Sequence, residues 1–587
     1  MIIKMFFFLS AIVNSSHFDA MGTKRKEPEK AASYEWNQEA SSTFRNGSLS
    51  AVNTQRLVLA AQNAGAQGAE ALARAGKSGQ IQKNVHRDLT RHMLKNSHWP
   101  KYYYANIPVW DPIQECSLER LHPFLLPHEW LAKAIDICDF SAVYADVVNH
   151  SEIAGHIQQV AMRLESPWED FIPLGFHSDG VPYGSQMFYS DSLELFSLNL
   201  PCGSIGMRIP FTSAQKNHLV KHETYNAILE VLSWSLKHLA WGTFPITRHD
   251  GTAFDKGETW RSNLGNKLKP AKALLVEVRA DWSALKQVFQ FPQQNENAGI
   301  CWMCHATPSE IRDCSATAGW RTNRWTAMSF HHHLKETNKV CPLWSVPGVS
   351  CKLVVVDWLH CADIGVTADV IGNILLELVD GFPGAGDRNV KLTHIWQTIC
   401  AEYDAQGVPS TNRFHSLRLK SFFNSKKSPK LKGKAAHIRY FVPVIDCVVK
   451  KTMQPNDNHT GTVMSCMAHL AACYTCLQDF DAAKLDFNSR RMAVLYCALE
   501  QEKLDAGIKK RWKVKPKLHL FLELCSHICL ERHRGNPRNF WTYADESHGG
   551  DMRGKAVARG GQKTSRASAC RVLNMWTASN DMQRMMG

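Results

Sequence analysis

Three acidic residues carry the first chemistry this sequence suggests. Asp179 lies in "GFHSDGVPYGS", just after the apolar residues Phe171, Ile172, Leu174 and Phe176. There Gly180, Pro182 and Gly184 predict an abrupt stop to a short buried strand. Asp281 ends a second apolar, β-branched run, "LLVEVRAD". Each has an ordinary structural reading: Asp179 as a turn residue bonding nearby amides, Asp281 as the N-cap of a helix over "WSALKQVF". If the two strands are parallel neighbours, their carboxylates converge, and like charges so placed call for a cation. Mg2+ meets that need with oxygen ligands. Glu546 in "FWTYADESHGG" is the best-placed third acid, with Asp545 as its rival and a surface role as the plain alternative.

A second set of residues has metal-ligand character. Cys301 and Cys304 have knuckle spacing, and His305, Cys314, His331, His333 and Cys341 follow closely enough to complete a tetrahedral Zn2+ site. Two buried free thiols are the competing reading. Asp357 and His360 follow the strand-like run "KLVVVD", as a buried Asp–His pair, a helix cap, or a brace for a nearby site. Cys473 and Cys476 fall on a predicted helix and read as core. Lys426, Lys427, Lys430, Lys432 and Lys434 form a basic loop, either a solvated face or a set of phosphate contacts.

Positioning these groups requires several elements. Strand signals in "FIPLGF", "SLELFSLNL" and "GMRIPFTS" precede a helix, "LVKHETYNAILEVLSWSLKHLAW", and then the strand "KALLVEVRAD". That order predicts an α/β core. Helical spacing dominates afterwards, as in Val370, Ile371, Ile374, Leu375, Leu378 and Val379. The chain divides into a flexible N-terminal arm over 1–85 with an Ala-rich helix near 55–76, a helical lead-in over 86–165 that first passes through an extended segment, "HWPKYYYANIPVW", and a first core part over 166–300. A Cys/His-containing and helical insertion over 301–510, a last core part over 511–560 and a basic tail over 561–587 follow.

The bulk numbers set bounds. The 587 residues carry 68 Lys and Arg against 54 Asp and Glu, a net charge of +14 that favours a polyanionic partner. Eighteen scattered cysteines in so long a chain do not resemble a disulfide scaffold and predict a reducing compartment. "MIIKMFFFLSAIVNSS" resembles a signal-peptide core but lacks a convincing cleavage site. Lys24, Arg25 and Lys26 are alternatively solvated or an import signal. No stretch predicts a membrane span.

Asp179, Asp281 and Glu546 in that order, with "CWMC" at 301–304 and "DWLH" at 357–360 between the last two, resemble the signature of DDE transposases of the hAT-like and related superfamilies. The similarity covers roughly 165–560. It implies an RNase H-like core interrupted by a large, mainly helical insertion. It further implies that Asp179, Asp281 and Glu546 hold two Mg2+ or Mn2+ ions about 3.5–4 Å apart for DNA strand cleavage and transfer. Double-stranded DNA is then the partner, the nucleus the compartment and a homo-oligomer a candidate assembly, with no membrane. Asp357 and His360 would brace the site. One departure stands out: the first cysteine is Cys116, so the N-terminal zinc finger usual in such enzymes is not apparent. A relative that binds DNA without cutting it and a zinc-organised protein-binding scaffold are the alternatives.

Overall fold

Runs of β-branched and aromatic residues build two sheets, and the larger one positions the acids. The computed structural model describes residues 44, 49–65, 69–77, 84–95, 98–182, 192–202, 207–291, 300–383, 385–557, 564–580 and 582. Strands β1 (Tyr103–Asp111) and β2 (Cys116–Phe124) form an antiparallel hairpin. Strands β3 (Phe171–Pro182), β4 (Ser192–Asn199), β5 (Arg208–Gln215) and β6 (Lys272–Ala280) form a four-stranded sheet in the order β5-β4-β3-β6. The β3-β4 and β4-β5 pairs are antiparallel, whereas β3 and β6 run parallel. Val354 adds one parallel bridge to Val278 on the far side of β6.

β3 is buried on both faces from Phe171 to Ser178, as a central strand requires. Gly175 is needed there, because a Cβ would lie 2.4 Å from Asn199 Oδ1 and 2.7 Å from Glu277 Oε1. A register shift between Leu174 and Gly175 absorbs the local irregularity.

Helices cover the sheet and make up most of 368–505, within the stretch expected to be an insertion. Helix α1 (Ser151–Arg163) packs on β3 and β6, and α2 (Lys221–Trp241) on β6 and β1. Gly242 closes α2 in the left-handed conformation, φ +65°. Asp281 caps the short α3 (Trp282–Gln287). That expected insertion contains α4 (Ala368–Gly381), α5 (Arg388–Ala405), α6 (Ala435–Thr452), α7 (Asn458–Thr475) and α8 (Ala482–Asp505). Asp387, Asp457 and Asp481 cap α5, α7 and α8 by accepting from backbone amides. The chain returns through α9 (Pro516–Leu522), which has Pro at its first turn and runs on into a π-helical segment (Glu523–Glu531). It ends in α10 (Tyr543–Val557) and α11 (Ser565–Ser579). One hydrophobic core runs from Leu174 and Phe176 in the sheet to Ile371, Val442 and Met467 in the insertion.

The protein is therefore mixed α/β. Several expectations need correction. β3 continues past Asp179 to Pro182, because β4 keeps pairing with it, so Asp179 lies within the strand opposite Leu195. The expected strand at "KLVVVD" is a 3-10 turn (Cys351–Leu353) followed by the Val354 bridge. The extended segment expected in the lead-in is β1, but its partner β2, which makes it a hairpin, was not expected. The Ala-rich helix expected near 55–76 starts earlier and is split in two, Ala51–Asn63 and Glu70–Ala73, and it is packed rather than loose: Val58 and Ala61 are buried in a small cluster with Leu72, Leu89 and Ala578. The basic tail contains α11, whose Val572, Leu573 and Trp576 are buried as it packs on β5 and β2. The signal-like segment and Lys24–Arg25–Lys26 lie outside the described residues. Among the described residues no helix is long and apolar enough to cross a membrane.

Candidate active site

Parallel pairing of β3 with β6 brings the first two acids together. Ser178 pairs with Ala280, so Asp179 and Asp281 are the next residues along two neighbouring parallel strands. Asp281 Oδ1 accepts from Ala284 N at 2.6 Å, and Asp179 Oδ1 accepts from Gly180 N at 2.7 Å. The helix-cap reading of Asp281 is thus fulfilled, with its second oxygen free of any such duty.

Glu546 reaches the same place from α10. Burial, then the charges of Glu546 and Asp281, push the Asp179 carboxyl up to about 8, against the opposing pull of His360. Glu546 Oε1 is buried without a well-formed hydrogen bond, and the nearest cationic group is His360 Nε2 at 3.4 Å.

Asp357 and His360 tie this acid to the core. His360 Nδ1 lies 2.7 Å from Asp357 Oδ2, and its Nε2 faces Glu546. Asp357 also accepts from Thr542 N and Thr542 Oγ1, both at 2.8 Å, immediately before α10. Burial alone would lower the His360 pKa, but the hydrogen bond and charge of Asp357, with Glu546 and Asp179, raise it to about 9. At neutral pH an imidazolium therefore stands between Asp357 and the acid cluster.

Asp545, the rival third acid, belongs to a different network. Its carboxylate pairs with Arg208, and Arg279 Nη1 lies 3.4 Å away. Arg279 also pairs with Glu277 at 2.6 Å, and Glu277 with Arg534. Burial opposes ionisation of Asp545, but His177, Arg279 and Arg208 hold its pKa below the ordinary value. Successive residues of α10 point a hundred degrees or so apart. One therefore faces this ion network and the other faces Asp179.

Sequence reasoning missed Glu194, His177, Arg208 and Arg279. Glu194 is buried beside the site, yet its oxygens are taken by Ser178 Oγ at 3.1 Å and Lys216 Nζ at 3.0 Å, so it is not open to a ligand. A charged residue inside the apolar strand "LELFSL" was the available signal. Lys426, Lys427 and Lys432 are exposed, whereas Lys430 is half-buried and interacts with Asp369, which Lys515 also pairs at 2.6 Å.

The Cys-x-x-Cys pair meets partners other than those nearest in sequence. Cys301 and Cys304 cluster with His519 and Glu523, the four ligand atoms all within 4.8 Å of one another. His305 instead stacks on Trp325 at 3.5 Å, His333 packs on the same ring, and Cys314 lies 3.7 Å from Cys497. Cys473 and Cys476 are core residues. No protein-family model and no curated protein matches the sequence.

Proposed function

We propose that the protein cleaves and transfers DNA strands in the manner of a DDE transposase, on an RNase H-like core formed by β3 to β6 and the Val354 bridge. One observation carries the reading: the parallel register sets Asp179 beside Asp281, and Glu546, remote in sequence, comes close enough for its charge to act on Asp179 as well. The sheet order supports it, with three antiparallel strands first and a parallel strand added beside the first of them.

The pocket suits Mg2+ or Mn2+. Its open donors are carboxylate oxygens, hard ligands of the kind these ions take, and Asp179 and Glu546 face each other with a buried oxygen unpaired. Asp179, Asp281 and Glu546 would hold the ions, which supply Lewis-acid activation of a nucleophilic oxygen and charge stabilisation of the leaving one. The protein's own part is positional. Asp281 is fixed by its cap to α3, and Glu546 is fixed by His360 and by the Asp357 bonds at the start of α10. Next to Glu546, a guanidinium–aromatic cluster sets Arg439 over Trp541 at 4.8 Å and over Tyr543 at 4.6 Å. Such a platform suits phosphate and base contacts.

The test is Mg2+-dependent nicking of duplex DNA by the wild type and by Asp281→Asn. Asn caps a helix as well as Asp. The variant is expected to keep its melting temperature within about 2 °C and to lose nicking. Equal nicking by both proteins overturns the assignment, and binding without nicking by the wild type favours the non-cutting relative. Changing Lys426, Lys427 and Lys432 together to Gln is expected to reduce the slope of log affinity against log salt by up to about three. An unchanged slope returns that loop to solvent.

A further inference from the structure

The cysteine cluster lies outside the acidic pocket, and its geometry stands without the functional reading above. We infer that Cys301, Cys304, His519 and Glu523 form a closed, structural Zn2+ site that ties the chain just after Asp281 to the helix that leads it back toward Glu546.

The distances fit a four-coordinate ion. Tetrahedral zinc with bonds of about 2.0–2.3 Å places its ligand atoms about 3.3–3.8 Å apart. Cys304 Sγ lies 3.3 Å from His519 Nε2, and His519 Nε2 lies 3.6 Å from Glu523 Oε1. The relative exposures are 4%, 0%, 1% and 0% for Cys301, Cys304, His519 and Glu523, so no face remains open for a substrate. A sealed site with two sulfurs, an imidazole and a carboxylate is the donor set of structural zinc and is too soft for Mg2+.

Local structure prepares both halves. Cys304 and Arg324 form an antiparallel bridge, and Trp325 N donates to Met303 O, so the knuckle is held in a short two-stranded turn. His519 and Glu523 are four residues apart on consecutive helical turns and therefore share a face. Trp320 packs edge-on against the His519 ring at 4.5 Å, while Nδ1 of that ring lacks a hydrogen-bond partner among the described residues.

Charge also balances. Two thiolates and a carboxylate exceed the ion by one negative charge. Arg324 supplies the compensating one, its Nη1 lying 2.7 Å from Glu523 Oε1 and close to Oε2. Cys304 and His519 are 215 residues apart in sequence. The ion therefore closes a loop containing the whole helical insertion, and its binding energy contributes to folding.

The experiment uses the full chain purified without a polyhistidine tag or chelator. Elemental analysis is expected to find one zinc per chain that survives dialysis against excess Mg2+. Cys304→Ser and His519→Ala are each expected to reduce it to background. Replacement by Co2+ in the wild type is expected to give thiolate-to-cobalt charge-transfer absorption with the strong visible bands of a tetrahedral site. That spectrum decides the matter even if the variants fail to fold. Zinc-free wild-type protein that also takes up no zinc or cobalt after reduction overturns the inference. So does zinc retained in full by Cys301→Ser/Cys304→Ser, or a cobalt spectrum without the thiolate band.

Discussion

Two neighbouring residues of α10 are expected to give opposite results. Glu546→Gln should fold as the wild type does and lose DNA cleavage, whereas Asp545→Ala should cost about 3–5 kcal/mol of stability. The Glu546 side chain is 38% exposed, so removing its charge relieves repulsion with Asp179 and gives up only the 3.4 Å contact with His360, which keeps its bond to Asp357. The Asp545 side chain is fully buried between Arg208 and Arg279, whose exposures are 4% and 3%. Deleting that carboxylate removes a buried counter-charge shared by two guanidinium groups, and breaking a buried pair from one side is far costlier than the pair's net worth. Denaturant unfolding and a nicking assay on the two variants read both effects. A destabilised Glu546→Gln variant, or an Asp545→Ala variant of wild-type stability, contradicts the placement of these side chains.

The second large effect concerns Asp179→Asn in the absence of divalent ions. The Asp179 carboxyl is pushed up from 3.8 to about 8, by burial first and then by the charges of Glu546 and Asp281. Between these values the folded chain holds a proton that the unfolded chain has released. Stability therefore falls as pH rises from about 4 to about 8. Asn does not titrate, so the variant should escape that loss. The melting temperature of Asp179→Asn minus that of the wild type should be near zero at pH 4, grow through neutrality and level off above pH 8. The plateau corresponds to a few kcal/mol. Millimolar Mg2+ should then narrow the gap, because it binds the folded wild type alone. A gap independent of both pH and Mg2+ would mean that Asp179 is an ordinary strand residue. The same variant should be inactive in cleavage, which makes it more stable and less functional together.

How much of this was legible in the sequence depended on range. Asp179 and Asp281 were readable because each follows a local apolar run, and the parallel register alone brings them side by side. Glu546 was chosen by order and context, since nothing local separates it from Asp545. Only the tertiary positions of Arg208 and Arg279 do so. The Asp357–His360 pair was visible as a motif, but its bond to Thr542 joins residues 185 apart. His519 and Glu523 were hidden for the same reason, because spacing rules favour ligands near the knuckle. The extended character of β1 is readable in "YYYANIPVW", but β2 is hidden because exposed charges in "CSLERLHPF" mask a strand held by its partner. Helix α11 was missed because polar residues dilute its buried stripe.

The central claim is tested most directly by crystals of the protein soaked in Mn2+ and measured for anomalous scattering. Anomalous density bound by carboxylate oxygens of Asp179, Asp281 and Glu546 is expected, at about 2.0–2.2 Å. Crystals with Glu546 turned away from Asp179, or with Mn2+ bound elsewhere and none among these three acids, would contradict it.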